Sequence, residues 1–289
     1  MDMNRRTIKK NLRGLAFAVM LLAFGTTIAC GQGTAVRSQQ AADKNRNTTT
    51  AKHGKSNTAT VKSIVQYELP AKLTDRPEQI VRRKAYTVSY NSTTKCPNWV
   101  AWHLTKEHTY GKVQRSNEKF IEDPTTGGPD NYDYINSRYD RGHMCLAGDN
   151  KWDATAMTET FYFSNICPQN HNLNKYEWND LEMRCREWAR RYGSVDIVCG
   201  PIYLDNNAPQ HIGASKVRVP DAFFKVVLCR KNGGKAIGFY YKNDGKKVSM
   251  ADAVRTVDQI EKLTGIDFFH QLDDTTESRV EAKANISDW

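Results

Sequence analysis

Apolar residues recur along the chain with two different spacings, and each spacing predicts a different kind of element. Residues 85–91 and 99–104 are rich in β-branched and aromatic side chains, which favours strands. The turn-forming residues of 92–97 lie between them, so we expect the two strands to pair. Further strand-like runs occupy 194–203, 222–230 and 235–241. These runs predict a β-sheet.

Two segments show helical spacing instead. In residues 175–192, large apolar side chains recur three and four positions apart, as one face of an amphipathic helix requires; they are Trp178, Leu181, Cys185, Trp188 and Tyr192. A last helix is predicted to begin at the N-cap Ser249 and to stop at Gly265. Its expected inward positions are Val254, Val257, Ile260 and Leu263.

The order of these elements indicates the fold class. Strands come first, and helices then mix with further strands, which favours an α+β domain on a central antiparallel sheet flanked by helices. Residues 122–133 hold two prolines and a Gly-Gly pair and are interpreted as a surface loop. We expect one folded domain over residues 66–289, and Trp152, Trp178 and Trp188 are assigned to its core.

The front of the chain predicts export. Basic residues precede the apolar run 15–24, which is too short to span a bilayer comfortably. Thr27-Ile28-Ala29-Cys30 follows and resembles the lipobox of bacterial lipoproteins, although Thr27 stands where Leu is usual. We expect residues 1–30 to be a lipoprotein signal peptide, with a lipidated Cys30 as the membrane anchor. The alternative is ordinary cleavage and a free periplasmic or secreted protein.

Residues 31–65 are polar and basic, without aromatic residues or apolar periodicity, and are predicted to form a disordered tether. The formal charge of the chain is +10. Residues 1–65 hold 11 of the 42 basic and 2 of the 32 acidic residues, which leaves 31 basic and 30 acidic residues in 66–289. The expected domain is thus nearly neutral. Any affinity for a polyanion must come from a local cluster of Arg and Lys.

Six cysteines remain beyond Cys30, in a compartment that would permit disulfides. Cys199 and Cys229 lie in strand-like segments and could bridge two strands, but the sequence does not select among the pairings. No Cys/His spacing typical of a structural zinc site is present.

The residues that suggest chemistry are concentrated in one block. They are Asp140-Arg141-Gly142-His143, then Asn165-Ile166-Cys167-Pro168-Gln169, then Asn174, and then Trp178, Leu181-Glu182 and Arg186. In this order and spacing they resemble the DNA/RNA non-specific endonucleases of the ββα-metal, or His-Me finger, class, to which mitochondrial endonuclease G belongs. The resemblance extends over about residues 67–269.

The resemblance implies a role for each matching residue. His143 corresponds to the general base that activates the attacking water, and Asn174 corresponds to the protein ligand of one Mg²⁺, with Mn²⁺ as a substitute. Asn165 corresponds to an amide that positions His143 and the phosphate, and Glu182 to the carboxylate that orients water on the metal. Arg141 and Arg186 correspond to guanidiniums that neutralise the phosphate, while Asp140 is assigned to structural support. The implied substrates are DNA and RNA, bound through backbone phosphates and cleaved to leave 5′-phosphate ends.

The residue types fit this chemistry independently of the resemblance. A histidine with a pKa of about 6.5 can accept a proton near neutral pH. Magnesium prefers oxygen ligands and retains several waters, so a single amide carbonyl can hold it. If 175–192 is helical, Asn174, Glu182 and Arg186 follow one ridge of roughly 18 Å.

The same residues allow other interpretations. Asn174 alone would suit a helix N-cap, and Glu182 with Arg186 could be only a surface ion pair. A second hypothesis is a catalytically silent lipoprotein of the same fold that binds nucleic acid. A third is hydrolysis of another phosphodiester, because phosphate contacts do not identify the rest of a substrate.

Overall fold

The computed structural model describes residues 65–115, 119–204 and 208–289. The predicted signal peptide and nearly all of the predicted tether lie outside these residues. Within them, no helix is both long and apolar enough to cross a bilayer.

The described residues form a seven-stranded sheet with helices on both faces. The strands are β1 (Gln79–Arg82), β2 (Thr87–Asn91), β3 (Cys96–Thr105), β4 (Asp140–His143), β5 (Ile166–Gln169), β6 (Ser194–Ile202), β7 (His211–Ile212), β8 (Val217–Arg218), β9 (Ala222–Cys229), β10 (Lys235–Lys242) and β11 (Val254–Arg255). The helices are α1 (Asn131–Tyr134), α2 (Ala154–Glu159), α3 (His171–Lys175), α4 (Glu177–Tyr192), α5 (Met250–Ala253), α6 (Val257–Thr264) and α7 (Asp274–Glu281).

The large sheet has the strand order β1-β2-β3-β6-β9-β10-β11, and its neighbouring strands are antiparallel. The pairs β4-β5 and β7-β8 are separate. The predicted α+β class with a central antiparallel sheet is confirmed. The expected pairing of the two early strands is also present, as β2 and β3.

Both faces of the sheet are covered, which explains why its central strands are almost wholly apolar. On β9, Phe223 and Val227 point into the core that includes Trp178 and Trp188 of α4. Phe224, Val226 and Leu228 alternate with them and join a second core that includes Ile260 of α6. Lys225 faces the α4 side, in line with Phe223 and Val227. A charged side chain therefore enters the apolar layer on that side.

Several sequence-based expectations were wrong in detail. The predicted helix from 249 to 265 is divided into α5, the edge strand β11 and α6, and Leu263 is exposed instead of inward. The predicted loop 122–133 ends in helix α1, and Trp152 is only half-buried. The bridge between Cys199 and Cys229 is not formed, because Cys199 lies opposite Lys225 and Cys229 lies opposite Lys235.

Candidate active site

The hairpin β4-β5 carries the Asp-Arg-Gly-His segment and is followed directly by α3 and α4. In the hairpin register, Gly142 lies opposite Cys167 and His143 lies opposite Ile166. A Cβ at Gly142 would lie 2.3 Å from Oε1 and 2.6 Å from Cβ of Gln169. Only glycine allows this close approach, so the hairpin depends on Gly142.

A cavity of about 430 Å³ opens beside the hairpin and contains five of the six predicted site residues. Those five are Arg141, His143, Asn174, Glu182 and Arg186. The rest of the lining is Gln114, Arg115, Leu146, Ala147, Gly148, Lys151, Lys175 and Asn179. Residues far apart in sequence therefore share one polar cavity.

The His143 imidazole packs against two aromatic rings that also contact each other. The ring of Phe161 packs edge-on at 5.0 Å, and that of Phe120 lies at 5.2 Å. The side chain is buried, and its Nε2 has no hydrogen-bond partner among the described residues. Burial, and then the positive charge of Arg115, lower the pKa of His143 to about 3. The imidazole is therefore neutral at physiological pH, the form that a general base requires, and its pKa lies far below the value of about 6.5 expected from the residue type.

The Asn174 carboxamide is oriented by Asp140. Asn174 Nδ2 donates to Asp140 Oδ2 at 2.9 Å, and His171 Nδ1 lies 3.0 Å from the same oxygen. Because the amide nitrogen is occupied, the carbonyl oxygen Oδ1 remains for another partner. Asn174 also lies inside α3, whose N-cap is Asn170, so the N-cap interpretation of Asn174 is wrong.

Asn165 is the predicted site residue that does not reach the cavity. Its side chain is fully buried, and Oδ1 accepts a hydrogen bond from the backbone of Cys145 at 2.8 Å. Nδ2 donates to the carbonyls of Cys145 and Thr160. This position can stabilise the backbone just after His143. The expected contact between Asn165 and phosphate does not fit, because both polar atoms of the amide are already engaged inside the protein.

The expected continuous ridge along one helix was also wrong. The backbone at Tyr176 leaves the helical region, with φ −114° and ψ −87°, and separates α3 from α4. Asn174 therefore lies on a different helix from Glu182 and Arg186. All three still line the cavity, because the break lets α3 continue from the hairpin while α4 packs on the sheet.

Glu182 lies at the buried floor of the cavity. Burial raises its pKa to about 7, while the nearby Lys225 opposes this rise. Arg186 Nη1 donates to Asp149 Oδ1 at 3.1 Å, and the indole of Trp102 donates to Asp149 Oδ2. Arg186 is thus paired with Asp149, and the interpretation of Glu182 and Arg186 as a surface ion pair is wrong.

Lys225 supplies a positive charge beneath this floor that sequence reasoning missed. It is fully buried, and its Nζ has no hydrogen-bond partner among the described residues. The ammonium lies 4.5 Å from the ring centroid of Trp178 and 5.4 Å from that of Trp102. Burial lowers the pKa of Lys225, but surrounding groups that include Cys199 and Glu182 raise it by more than burial lowers it. The net result is a raised pKa. The only hint in the sequence is a single lysine within an apolar strand.

Positive charge dominates the cavity lining. Arg115, Lys151 and Lys175 join Arg141 and Arg186, whereas Glu182 is the sole carboxylate among the described residues of the lining. A nearly neutral domain thus concentrates cations at one cavity. This is the local cluster of Arg and Lys from which any affinity for a polyanion must come. The motifs did not point to Arg115 or Lys151, because both come from loops whose position depends on tertiary structure.

Arg141 extends from β4 toward α1. Its Nη2 donates to the backbone carbonyl of Asn131 at 3.3 Å, and its guanidinium lies 5.7 Å from the ring centroids of both Phe120 and Tyr134. These contacts hold the charged group in the cavity wall. The fixed guanidinium can face an anion without first losing much side-chain entropy.

Comparison with known proteins identifies similar chains. The family model for DNA/RNA non-specific endonuclease matches residues 67–275. Nuclease C1 from Cunninghamella echinulata var. echinulata is 32% identical over 233 residues, covering 74% of this chain and 90% of that protein. Human mitochondrial nuclease EXOG is 36% identical over 219 residues, covering 67% of this chain and 58% of EXOG. The chain thus spans less than two thirds of the EXOG sequence.

A solved structure of an EndoG/EndoGI complex, which describes the mechanism of EndoG inhibition, has a similar fold. Its TM-score is 0.67 at 28% identity, with 73% of this chain and 91% of that chain covered. The architecture is the ββα-metal nuclease fold, in which β4, β5 and the helices after them form the ββα unit.

Proposed function

Because the chain belongs to the DNA/RNA non-specific endonuclease family, we propose that it is a hydrolase that cuts internal phosphodiester bonds of DNA and RNA. The observation that carries this proposal is the placement of His143 and Asn174 in one cavity lined by five cationic side chains. Such a lining suits a phosphate backbone and does not distinguish one base from another, so little sequence preference is expected.

His143 is the general base in this proposal. Its neutral imidazole accepts the proton of the attacking water, and the rings of Phe120 and Phe161 hold it in place. Since Nε2 is buried, we assign the proton transfer to Nδ1. Asn165 acts as a positioning residue, because it fixes the backbone that follows His143.

The site suits a hard divalent cation such as Mg²⁺, with Mn²⁺ as a substitute. Asp140 occupies the amide nitrogen of Asn174, so a neutral carbonyl oxygen is presented, and Glu182 adds a carboxylate to the same cavity. When bound, the cation supplies positive charge for the phosphate oxygens. Arg141 and Arg186 bind the same phosphate as its charge increases. Glu182 in its carboxylate form would orient the water that protonates the departing 3′ oxygen, so its ionisation, with a pKa of about 7, should limit the rate at low pH.

Cleavage of plasmid DNA and of RNA tests this function. The purified chain should nick both substrates in MgCl₂, lose the activity in EDTA and leave 5′-phosphate ends. His143→Ala should lower turnover by about 10²–10⁴-fold while keeping affinity for DNA. The matched control is His270→Ala, an exposed histidine outside the cavity, which should cut normally. Binding without cleavage by the unsubstituted chain would support the silent lipoprotein instead, and cutting that is unaffected by EDTA would contradict the metal site.

We also propose that the nuclease is exported from a bacterium and anchored through a lipidated Cys30. The support is the basic and apolar order of the first thirty residues and the small residues before Cys30. Among the similar proteins, EXOG is named as mitochondrial, and that location applies to EXOG alone. Lipid labelling and fractionation should show a membrane-bound chain that becomes soluble in Cys30→Ser. An unlabelled, soluble chain would favour ordinary cleavage of the signal peptide.

A further inference from the structure

Three carboxylates meet between α6 and α7, on the face of the sheet opposite α4. They are Asp258 and Glu261 of α6 and Glu281, the last residue of α7. One carboxylate oxygen from each lies within 4.8 Å of those of the other two. Two oxygens that bind one Ca²⁺ at about 2.3–2.6 Å can be separated by no more than roughly 5 Å. The three groups are therefore close enough to share an ion.

Glu281 is unusual because it is buried without a partner. Only 4% of the residue is exposed, and its Oε1 has no hydrogen-bond partner among the described residues. It also lies at the C-terminal end of α7, where the helix dipole disfavours negative charge. A carboxylate in this position needs a proton or a cation to offset the cost of burial.

No positive side chain of the described residues forms an ion pair with these three carboxylates. Arg279 of α7 instead donates to the backbone carbonyls of Gly233 and Gly234. The charges that act on Glu281 come from other acids, first Glu261 and then Glu277.

The donor atoms indicate which cation would fit. All three ligands are carboxylate oxygens, with no nitrogen or sulfur donor, which disfavours zinc. One oxygen of Glu261 already accepts a hydrogen bond from the backbone of Phe268 at 2.8 Å, so that carboxylate is fixed in orientation. Asp258 is exposed, and water can complete the coordination on its side. Ca²⁺ tolerates such an irregular set better than Mg²⁺, which demands octahedral geometry.

We propose that Asp258, Glu261 and Glu281 form a calcium site that joins α6 to α7 and is separate from the active site. Its role is structural. It neutralises a buried carboxylate and holds α7 and the chain after it against the sheet.

Calcium titration of the full chain tests this site. The chain is stripped with EDTA, and CaCl₂ is then added with MgCl₂ present throughout to occupy the active site. Calorimetry should show one Ca²⁺ bound. At a hundredfold excess over the dissociation constant, Ca²⁺ should raise Tm by roughly 5–10 °C.

Glu281→Gln keeps the shape of the side chain and removes its charge, and it should weaken Ca²⁺ binding at least tenfold. Asp258→Asn is the second variant, because a substitution at this exposed position should leave the fold intact. Glu277→Gln is the matched control, because it removes a nearby charge that is not a ligand and should keep the Ca²⁺ effect.

Two results would overturn the proposal. One is the absence of any heat or Tm shift when CaCl₂ is added to the unsubstituted chain. In that case a higher Tm of Glu281→Gln would show that Glu281 is buried in its protonated form. The other is a Ca²⁺ effect that survives unchanged in both Glu281→Gln and Asp258→Asn.

Discussion

The substitution Asp140→Asn tests how the candidate metal ligand is oriented. Asp140 Oδ2 accepts from Asn174 Nδ2 at 2.9 Å, so the carboxylate determines which end of the carboxamide faces the cavity. An asparagine at position 140 can donate as well as accept, and the Asn174 amide can then rotate by half a turn. The carbonyl oxygen would no longer face the ion for part of the time.

The size of the effect follows from this one hydrogen bond. A hydrogen bond to a charged group contributes about 1.5–3 kcal/mol. The Asp140 side chain is 33% exposed, so solvent screening favours the lower end of that range. About 1.4 kcal/mol corresponds to a tenfold change in an equilibrium constant. Metal affinity should therefore fall by roughly tenfold, within the range expected when a residue that orients a metal ligand is changed.

Initial rates of plasmid cleavage over a MgCl₂ series measure this change. For Asp140→Asn, the half-saturating Mg²⁺ concentration should rise about tenfold, and the rate at saturating metal should recover to near that of the unsubstituted chain. His171→Ala is the matched control, because His171 contacts the same carboxylate but has no hydrogen bond to Asn174. An unchanged Mg²⁺ requirement in Asp140→Asn, or an equal shift in His171→Ala, would refute the orienting role of Asp140.

Three further predictions concern the hairpin, the buried lysine and the sheet. Gly142→Ala places a methyl group against the Cβ of Gln169, so it should destabilise the chain by about 1–3 kcal/mol in urea unfolding and greatly reduce cleavage. Unchanged stability would contradict the close packing of the hairpin. Lys225→Met removes a charge that lowers the pKa of Glu182, so the acidic limb of the pH–rate profile should move to higher pH, whereas a shift to lower pH would refute that coupling. The hydrogen bond to Asp196 raises the pKa of His103, so the stability that this pair contributes is complete below the unfolded pKa of about 6.5 and is lost as pH rises through the folded value. His103→Gln should therefore reduce the fall of Tm as pH rises from the unfolded to the folded pKa of His103. An identical dependence of Tm on pH in the variant would contradict the contribution of the His103–Asp196 pair.

Local sequence patterns determined much of the fold. The apolar runs at 194–203, 222–230 and 235–241 correspond to β6, β9 and β10 within one or two residues. Strand and helix periodicity arise from the geometry of the element itself, so they can be recognised without knowledge of partners. The order and spacing of the motif block likewise identified the family before any contact was known.

Tertiary structure decided where the elements break and what completes the site. The edge strand β11 interrupts a helical pattern because Val254 and Arg255 pair with β10, so pairing with the sheet overrides local periodicity there. The break at Tyr176 is likewise visible only in the folded backbone. α7 was missed because only one of its residues besides Glu281 is buried, which leaves little apolar periodicity to detect. These features depend on distant parts of the chain, so they cannot be predicted from a local sequence pattern.

The candidate site shows the same division. The sequence by itself selected His143 and Asn174, because the chemistry of a base and of an oxygen ligand is a property of the residue type and the motif. Only the folded chain brought Arg115 to the cavity and Lys225 beneath it, and only there did Asn165 prove to be engaged by backbone. Burial and electrostatic coupling depend on distances through space, which residue order alone does not determine.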